Sequence, residues 1–282
     1  MTALSCYTAN LVEYLSYEDP SVRSRLAEAV RLAVRVDEPG GALAFSHHAR
    51  IDRGLGYRSA ESWADTRAQL LAEGRALVVT DTAYVPWSPY PLDVHGPHWI
   101  LVLRDGERWR VVDRFSALTM HGRQRPHEGW LTDEELRRAM TPMPSASAAV
   151  TNRDAHALGE RISLPPATHY RWLARVSESS LPADWVDGVP ALRRIATRLL
   201  ASERALAEHV DDLWAAAVHQ QFRLELLGLA GEALGEAWTK LPRSLRFAVE
   251  SARRGRPRPD LVTTAFDRVI AATEDLTALS RR

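Results

Sequence analysis

The chain has 282 residues, of which 45% are hydrophobic and 26% charged, a composition typical of a globular protein with one large or two ordinary domains. Its 36 basic residues balance 36 acidic ones, which predicts neither a nucleic-acid nor a membrane-surface partner, and no apolar run approaches the roughly 18 residues that span a bilayer. A single cysteine excludes an intramolecular disulfide, and the N-terminus lacks the basic and apolar regions of a signal peptide, so the sequence predicts a cytoplasmic protein.

Helix and strand patterns alternate along the first part of the chain. Apolar residues at helical spacing predict a helix over residues 6–17, with Ser5 as its N-cap. A second helix is predicted after Pro20, because apolar residues recur at intervals of four from Val22 to Val34, and Pro39-Gly40-Gly41 ends it. The next predicted elements are a strand at 43–45, a helix from Ser59 or Ser62 to Leu71 that ends at Gly74, a strand at 76–81 and a loop rich in proline and aromatic residues over 82–97.

A β-hairpin is predicted immediately after this loop. Two apolar runs, 98–103 and 109–113, flank a polar turn that contains the pair Asp105-Gly106, a strong short-range hairpin signal. His98 opens the first strand and Asp113 closes the second. The ends of an antiparallel pair lie side by side, so we expect a histidine next to the carboxylate that orients it.

The second half of the chain is predicted to be mostly helical. Thr132 to Glu135 has the pattern of a capping box that begins a short helix. Residues 146–188 are interpreted as an irregular linker, with a short strand near Arg161-Ile162. Residues 189–282 are interpreted as a helical domain of three to five helices, with breaks near 228–235, Leu241-Pro242 and 256–259.

The only cysteine lies in the first turn of the first predicted helix. There the unpaired N–H groups and the helix dipole favour a thiolate, and Cys6 is therefore a candidate nucleophile. In this hypothesis Cys6 attacks an acyl carbon, His98 exchanges the proton and Asp113 fixes the imidazole tautomer. Backbone N–H groups at the helix start would help to bind the oxyanion. The order cysteine, histidine, acid is that of papain-like enzymes.

Other interpretations of the same residues remain open. A lone cysteine is more often an inert small hydrophobic residue, and a histidine at a strand start is more often structural. His95 and His98, or the pair His47-His48, are candidate metal ligands with Cys6 as a further ligand, but no metal-binding motif accompanies them, so no metal is predicted. The chain has neither a glycine-rich phosphate loop nor the Gly-x-Ser-x-Gly elbow of a serine nucleophile.

The region of roughly residues 4–140 resembles the N-terminal domain of the butirosin-biosynthesis acyltransferase family, and more distantly the papain-like bacteriocin-processing peptidases. The residues that carry the resemblance are Cys6-x-x-x-Asn10-Leu11, Asp81-Thr-x-Tyr84-x-Pro86-Trp87, His98-Trp-x-x-Val and Asp113. The helical remainder, with Glu236-Ala237-Trp238-x-x-Leu241, looks like the helical domain that often follows.

The resemblance implies an α+β fold in which a papain-like domain over 1–145, with N-terminal helices packed on an antiparallel sheet, precedes an all-α helical domain. It implies a Cys6–His98–Asp113 triad, with Tyr7, Asp81, Tyr84 and Trp87 as substrate-binding residues. Tyr7 stands where a histidine commonly follows the cysteine in that family.

The activity implied is thioester chemistry in natural-product biosynthesis. The cysteine accepts an acyl group from the phosphopantetheine arm of an acyl or peptidyl carrier protein and passes it to a small-molecule amine or an internal nucleophile. The protein itself would bind no cofactor. The alternatives are a cysteine hydrolase (peptidase, amidase or thioesterase) and a non-catalytic protein that binds a small molecule or carrier. None of the residues before Cys6 is the glutamine that serves as oxyanion donor in papain-like peptidases, which argues against a peptidase.

Overall fold

The computed structural model describes residues 3–35, 42–143, 145–177, 181 and 184–279. These residues form two compact units. The sheet unit comprises Ala3–Arg25 and Arg50–Ala183, and the helical unit comprises the described parts of Leu26–Ala49 and Asp184–Arg282. The prediction of a mixed α+β protein with antiparallel sheets and a C-terminal helical region is therefore confirmed.

The described elements follow one another from Cys6 to Leu279. In chain order they are α1 (Cys6–Ser16), α2 (Val22–Ala29), β1 (Val30–Arg35), β2 (Ala44–His48), β3 (Leu55–Ala60), α3 (Trp63–Glu73), β4 (Arg75–Asp81), β5 (Pro97–Asp105), β6 (Arg108–Asp113), β7 (Ala117–Thr119), β8 (Gly122–Gln124), β9 (His127–Leu131), α4 (Asp133–Ala139), α5 (Ala148–Ala155), β10 (Tyr170–Arg175), β11 (Val186–Asp187), α6 (Gly188–Leu200), α7 (Glu203–Leu226), α8 (Ala233–Arg253) and α9 (Pro259–Leu279).

The sheet unit is built on six antiparallel strands in the order β3-β10-β4-β5-β6-β9. Strands β4, β5 and β6 are apolar on both faces and lie in the centre, where both faces are covered. Helix α1 packs against β5 through its apolar side, which includes Leu11 and Leu15. The helix that begins with Cys6 therefore packs directly on the strand that carries His98.

Several local predictions are confirmed at their boundaries. Ser62 caps α3 through the backbone N–H of Asp65, and Gly74 ends that helix with a positive φ of 68°. The capping box of α4 is formed by Thr132 and Glu135. The strand predicted at 76–81 and the hairpin of β5 and β6 are also present.

The hairpin turn is shorter than predicted. Asp105 pairs with Arg108, so only Gly106 and Glu107 form the loop. Gly106 has a φ of 61°, which a two-residue type II′ turn requires of its first central position. Because Leu101 pairs with Val112, Asp113 lies diagonally across from His98 instead of directly opposite it.

The helical unit packs α6, α7, α8 and α9 with a three-stranded sheet in the order β11-β1-β2. Its core includes Val34, Phe45, Leu213, Trp238 and Phe266. Along the described part of the chain, no helix combines the length and apolar character needed to cross a membrane.

The helix break predicted near Leu241-Pro242 is absent, and Pro242 lies inside α8. A proline at this position leaves the carbonyl of residue 238 without its helical donor. The side-chain amide of Gln221 in α7 donates to this Trp238 oxygen at 3.4 Å, which replaces the missing bond. The prediction of a helix break at this point was wrong because a neighbouring helix supplies the donor.

Two further predictions differ from the structure. The second helix ends at Ala29, and Val30 to Arg35 forms β1, whose apolar residues fit a strand period as well as a helical one. Residues 39–41, predicted to end that helix, lie outside the described residues. The segment 146–188 is not a linker, since it contains α5 and the strand β10 between β3 and β4.

The division of the chain also differs from the predicted boundaries at 145 and 188. The described residues within 26–49 belong to the helical unit, and the described residues within 146–183 belong to the sheet unit. The cause is long-range strand pairing: β2 pairs with β1 beside the C-terminal helices, and β10 pairs with strands far earlier in the chain. Predicting contiguous domains from composition does not detect such pairing.

Candidate active site

Cys6 is the first residue of α1 and is partly exposed. Ser5 occupies the N-cap position as predicted, but its hydroxyl donates to the Thr8 hydroxyl at 3.1 Å and makes no cap to the backbone. The N–H of Cys6 has no acceptor within its own helix, because it lies in the first turn. The sulfur therefore sits at the positive end of the helix dipole.

His98 and Asp113 meet on one face of the sheet. The two residues lie on the neighbouring strands β5 and β6, and His98 Nε2 is 2.8 Å from Asp113 Oδ2. Both side chains are buried, with relative exposures of 5% and 0%. An ionised carboxylate only accepts hydrogen bonds, so Nε2 carries a proton and donates it.

Cys6 lies close enough to the His98 ring to act with Asp113 in raising the pKa of the imidazole. Because Nε2 is occupied by Asp113, Nδ1 is the ring nitrogen left to face the sulfur. When the ring is neutral, Nδ1 has the lone pair that accepts the thiol proton. The structure therefore brings the three predicted catalytic residues together in the order Cys6, His98, Asp113.

Asp113 is held by donors from several parts of the sheet unit. Trp87 Nε1 donates to Oδ2 at 2.8 Å and Gln124 Nε2 donates to the same oxygen at 3.4 Å. Asn10 Nδ2 and the backbone N–H of Phe115 donate to Oδ1 at 3.1 and 3.0 Å. These bonds fix the orientation of the carboxylate and stabilise its charged form.

Asn10 connects the cysteine helix to both strands of the hairpin. Its amide nitrogen also donates to the Trp99 carbonyl at 2.6 Å, and its oxygen accepts from the Arg114 backbone N–H at 2.8 Å. Asn10 lies four residues after Cys6, on the same side of α1. It therefore fixes the position of the sulfur relative to the imidazole.

The charges of the buried pair support each other. Burial alone lowers the pKa of His98, but the charge and hydrogen bond of Asp113, together with Cys6, raise this pKa to about 10. Burial acts to raise the pKa of Asp113, while the charge of His98 and the hydrogen bonds from His98 and Trp87 lower it below its ordinary value. The imidazole is thus kept as imidazolium near neutral pH, beside the sulfur.

Asp81 organises the loop between β4 and β5. Its Oδ2 lies 2.6 Å from His95 Nδ1, and its Oδ1 accepts from the backbone N–H groups of Ala83 and Gly96 at 3.1 and 3.3 Å. The two ends of the loop are closed by a bond from Thr82 N to Gly96 O at 2.9 Å. The closed loop brings Trp87 to Asp113.

The four predicted substrate-binding residues have different surroundings in the structure. Tyr7 is buried, with its ring 6.0 Å from that of Trp99. Trp87 stacks on His127 at 4.1 Å and donates to Asp113, so it supports the triad. Asp81 holds the loop, and the remaining residue, Tyr84, lies against His95 and Arg138. Substrate contact by these side chains stays a prediction.

The histidine pair His47-His48 belongs to the helical unit, whereas Cys6, His95 and His98 belong to the sheet unit. His47 and His48 stack on His219, with ring centroids 5.3 and 5.9 Å apart. Within the described ranges, no group of three or more histidine, cysteine, aspartate or glutamate side chains is arranged to hold a metal ion.

The roles of Asn10 and Gln124 were not predicted from the sequence. The spacing of Asn10 from Cys6 was a usable signal, because residues four apart share a helix face. Gln124 gave no such signal, since it lies in the three-residue strand β8 and only the fold brings it to Asp113.

No protein-family model matches the chain, and no curated protein matches it significantly.

Proposed function

We propose that this protein is a cysteine acyltransferase that takes an acyl group from a carrier-protein thioester and passes it to an amine or an internal nucleophile. The observation that carries the proposal is the buried hydrogen bond between His98 Nε2 and Asp113 Oδ2, with a cysteine at the N-terminus of α1 near enough to act on the imidazole. On this proposal the sheet unit is a papain-like domain.

The chemistry follows from the charges of the triad. The Cys6 thiolate attacks the thioester carbonyl carbon, and the carbonyl π electrons move onto oxygen. The tetrahedral intermediate collapses and expels the thiolate of the phosphopantetheine arm, which takes the proton from the His98 imidazolium. This leaves an acyl–Cys6 thioester and a neutral imidazole that is held by Asp113.

The second half of the reaction uses the same groups in reverse. An amine nitrogen attacks the acyl carbon and gives its proton to His98, and the intermediate expels the Cys6 thiolate. The product is an amide, and the thiolate–imidazolium pair is restored. Water in place of the amine gives hydrolysis, so exclusion of water at the acyl group decides between the two outcomes.

The direct test is the intact mass of the protein after incubation with an acyl thioester of N-acetylcysteamine at neutral pH. The proposal predicts one acyl adduct on the wild type and on the control Ser16→Ala, whose hydroxyl lies at the far end of α1. Cys6→Ala should give none. An adduct of equal yield on Cys6→Ala, or no adduct with a series of acyl chains, would contradict the proposal.

The fate of the adduct separates transfer from hydrolysis. Addition of a primary amine to the isolated acyl-enzyme should release an amide faster than buffer alone releases the free acid. Release only as free acid would favour the cysteine hydrolase. A wild type that binds acyl thioesters without an adduct would favour the non-catalytic binding protein.

A further inference from the structure

The small hairpin of β7 and β8 has an inner face toward the triad and an outer face toward solvent. Gln124, at the end of β8, is buried and donates to Asp113 Oδ2 at 3.4 Å. Successive side chains of a strand point to opposite faces, so Arg123 lies on the outer face together with its pairing partner Leu118. Both of these side chains are exposed. A segment that holds the catalytic carboxylate therefore also presents a surface to solvent.

The loop between β4 and β5 packs against the turn of this hairpin. The ring of Tyr90 in the loop lies 4.8 Å from the ring of His121 in the turn. The same loop carries Trp87, whose indole N–H donates to Asp113 Oδ2 at 2.8 Å. The hairpin and the loop are thus in contact with each other, and each is bonded to the carboxylate of the triad.

Three large apolar side chains are exposed on these two segments. Leu118 and Met120 of the hairpin have relative exposures of 62% and 70%, and Leu92 of the loop has one of 66%. Leu118 and Met120 are two residues apart, and Leu92 follows two residues after Tyr90, which contacts the hairpin turn. Exposed apolar side chains beside a functional site are typical of interaction surfaces, in which methionine is enriched.

The hairpin also carries positive charge without nearby acidic residues in the chain. Residues 114–127 include three arginines and neither aspartate nor glutamate. Arg114 is paired with two carboxylates, whereas Arg123 and Arg125 are exposed and form no ion pair with any residue that the structure describes. The planar guanidinium group binds phosphate through paired hydrogen bonds. The surface therefore combines apolar side chains with two cations that are suited to a phosphate.

The position of this surface fits a substrate arm that ends at the nucleophile. Gln124 donates to Asp113 Oδ2 at 3.4 Å, and Asn10 donates to Oδ1 of the same carboxylate at 3.1 Å. Asn10 lies about one helical turn after Cys6 in α1. The hairpin and the first turn of the cysteine helix are therefore connected through a single carboxylate.

We propose that the outer face of the β7–β8 hairpin and the adjoining loop form the docking surface for the carrier protein that delivers the acyl group. This inference rests on the proposed function. A phosphopantetheine arm is joined to its carrier through a phosphodiester, and this negative charge is complementary to Arg123 and Arg125. Leu92, Leu118 and Met120 contact apolar side chains of the carrier around the attachment point. The flexible arm then leads past the hairpin to the nucleophile.

The test presents one acyl group on three thiols: N-acetylcysteamine, coenzyme A and a panel of acyl and peptidyl carrier proteins. The double variant Arg123→Ala/Arg125→Ala is compared with the wild type and with Arg104→Ala. Arg104 is also exposed and without an ion pair among the described residues, but it lies near the other end of β5 from His98. The ratio of carrier to N-acetylcysteamine acylation rates should fall by ~10- to 100-fold in the double variant and stay unchanged in the control.

A second variant separates the carrier from its arm. Coenzyme A has the phosphate groups of the arm but no carrier surface, so Leu118→Ser/Met120→Ser should lower acylation by the carrier thioester more than acylation by the coenzyme A thioester. Added salt should also reduce the wild-type preference for the carrier, because it screens the exposed arginines.

The outcomes separate this inference from the proposed function. A wild type that reacts with the N-acetylcysteamine thioester but shows no preference for any carrier retains the proposed function and overturns the docking surface. Equal losses with all three thiols in the arginine variant would mean a structural role and would also overturn it. Binding of the wild type, but not of the arginine variant, to phosphatidylserine vesicles without a preference for a carrier would assign the surface to a membrane instead. A wild type that reacts with none of the thioesters contradicts both proposals.

Discussion

The two units bury histidines in opposite electrostatic surroundings. In the sheet unit, His98 lies against the carboxylate of Asp113, and its pKa is raised to about 10 although burial acts to lower it. In the helical unit, burial and the neighbouring histidines His47 and His48 lower the pKa of His219 well below its ordinary value. Burial is common to both residues, so the sign of the neighbouring charge decides which histidine is charged at neutral pH.

This difference gives the two units opposite responses to pH. The folded-state pKa of His98 lies above its unfolded value of 6.5, so its stabilisation is complete below pH 6.5 and is lost as the pH rises through about 10. The folded-state pKa of Asp113 is lowered from 3.8, so its stabilisation is present above pH 3.8 and is lost as the pH falls further. The folded-state pKa of His219 lies below 6.5, so the helical unit loses stability as the pH falls below 6.5.

The largest effect on acylation should come from removing the charge of Asp113, which distinguishes the surroundings of His98 from those of His219. In Asp113→Asn only burial and Cys6 act on the imidazole, so its pKa should fall by several units, as measured by the NMR shift of its ring carbons against pH. The rate of acylation at neutral pH should fall by about 10²- to 10⁴-fold, because the imidazolium and its tautomer are lost. A His98 pKa that stays near 10 in this variant would contradict the account.

A smaller loss of acylation rate should follow from removing the hydrogen bonds by which Asn10 joins α1 to the hairpin of β5 and β6. Asn10→Ala removes the donor to Asp113 and the partners of the Trp99 carbonyl and the Arg114 N–H. We expect the free energy of unfolding to fall by about 2–4 kcal/mol, since buried polar groups lose their partners. Urea unfolding measures the stability, and acylation should also slow at a pH where the variant is fully folded. A variant with wild-type acylation would remove Asn10 from the positioning of Cys6.

The histidines of the helical unit should govern its acid sensitivity. His219→Phe keeps a ring in the stack with His47 and His48 but cannot bind a proton. The stability that the wild type loses between pH 6.5 and about pH 5 should shrink in this variant by up to ~2 kcal/mol. Hydrogen exchange of amides in α7, compared with amides in β5, separates the two units. If the variant and the wild type lose the same stability on acidification, groups other than His219 cause that loss.

The smallest effect should come from one donor of the carboxylate. Trp87→Phe keeps the stacking on His127 and loses only the indole N–H that donates to Asp113 Oδ2. Three other donors besides His98 remain on the carboxylate. We expect a loss of ~1–2 kcal/mol in unfolding free energy and a modest rise in the pKa of Asp113. A loss as large as that of Asn10→Ala would mean that Trp87 also holds the loop.

Local sequence signals predicted the parts of the site that depend on local structure. Cys6 was identified from a helix start, and His98 and Asp113 from a hairpin whose turn residues are specific. The boundaries of α3 and α4 followed from the caps at Ser62 and Thr132, which act within one turn of the chain.

The features of the fold and of the site that the sequence did not predict depend on contacts between distant segments of the chain. The strand β3 joins the sheet only because β10, which was interpreted as part of a linker, pairs with β3 and β4. Gln124 reaches Asp113 by a short strand without an apolar pattern. Val30 to Arg35 becomes a strand because β2 pairs with it beside the helical core, which overrides the helical spacing of its apolar residues.

The pH dependence of adduct formation in His98→Ala, compared with that of the wild type with the same acyl thioester, tests whether His98 activates the Cys6 sulfur. We expect a full adduct on the wild type at neutral pH and none on His98→Ala. Partial recovery should appear in the variant as the pH approaches about 8.5, where an unassisted cysteine thiol ionises. Equal rates of acylation in both proteins at neutral pH would remove His98 from the mechanism and contradict the account.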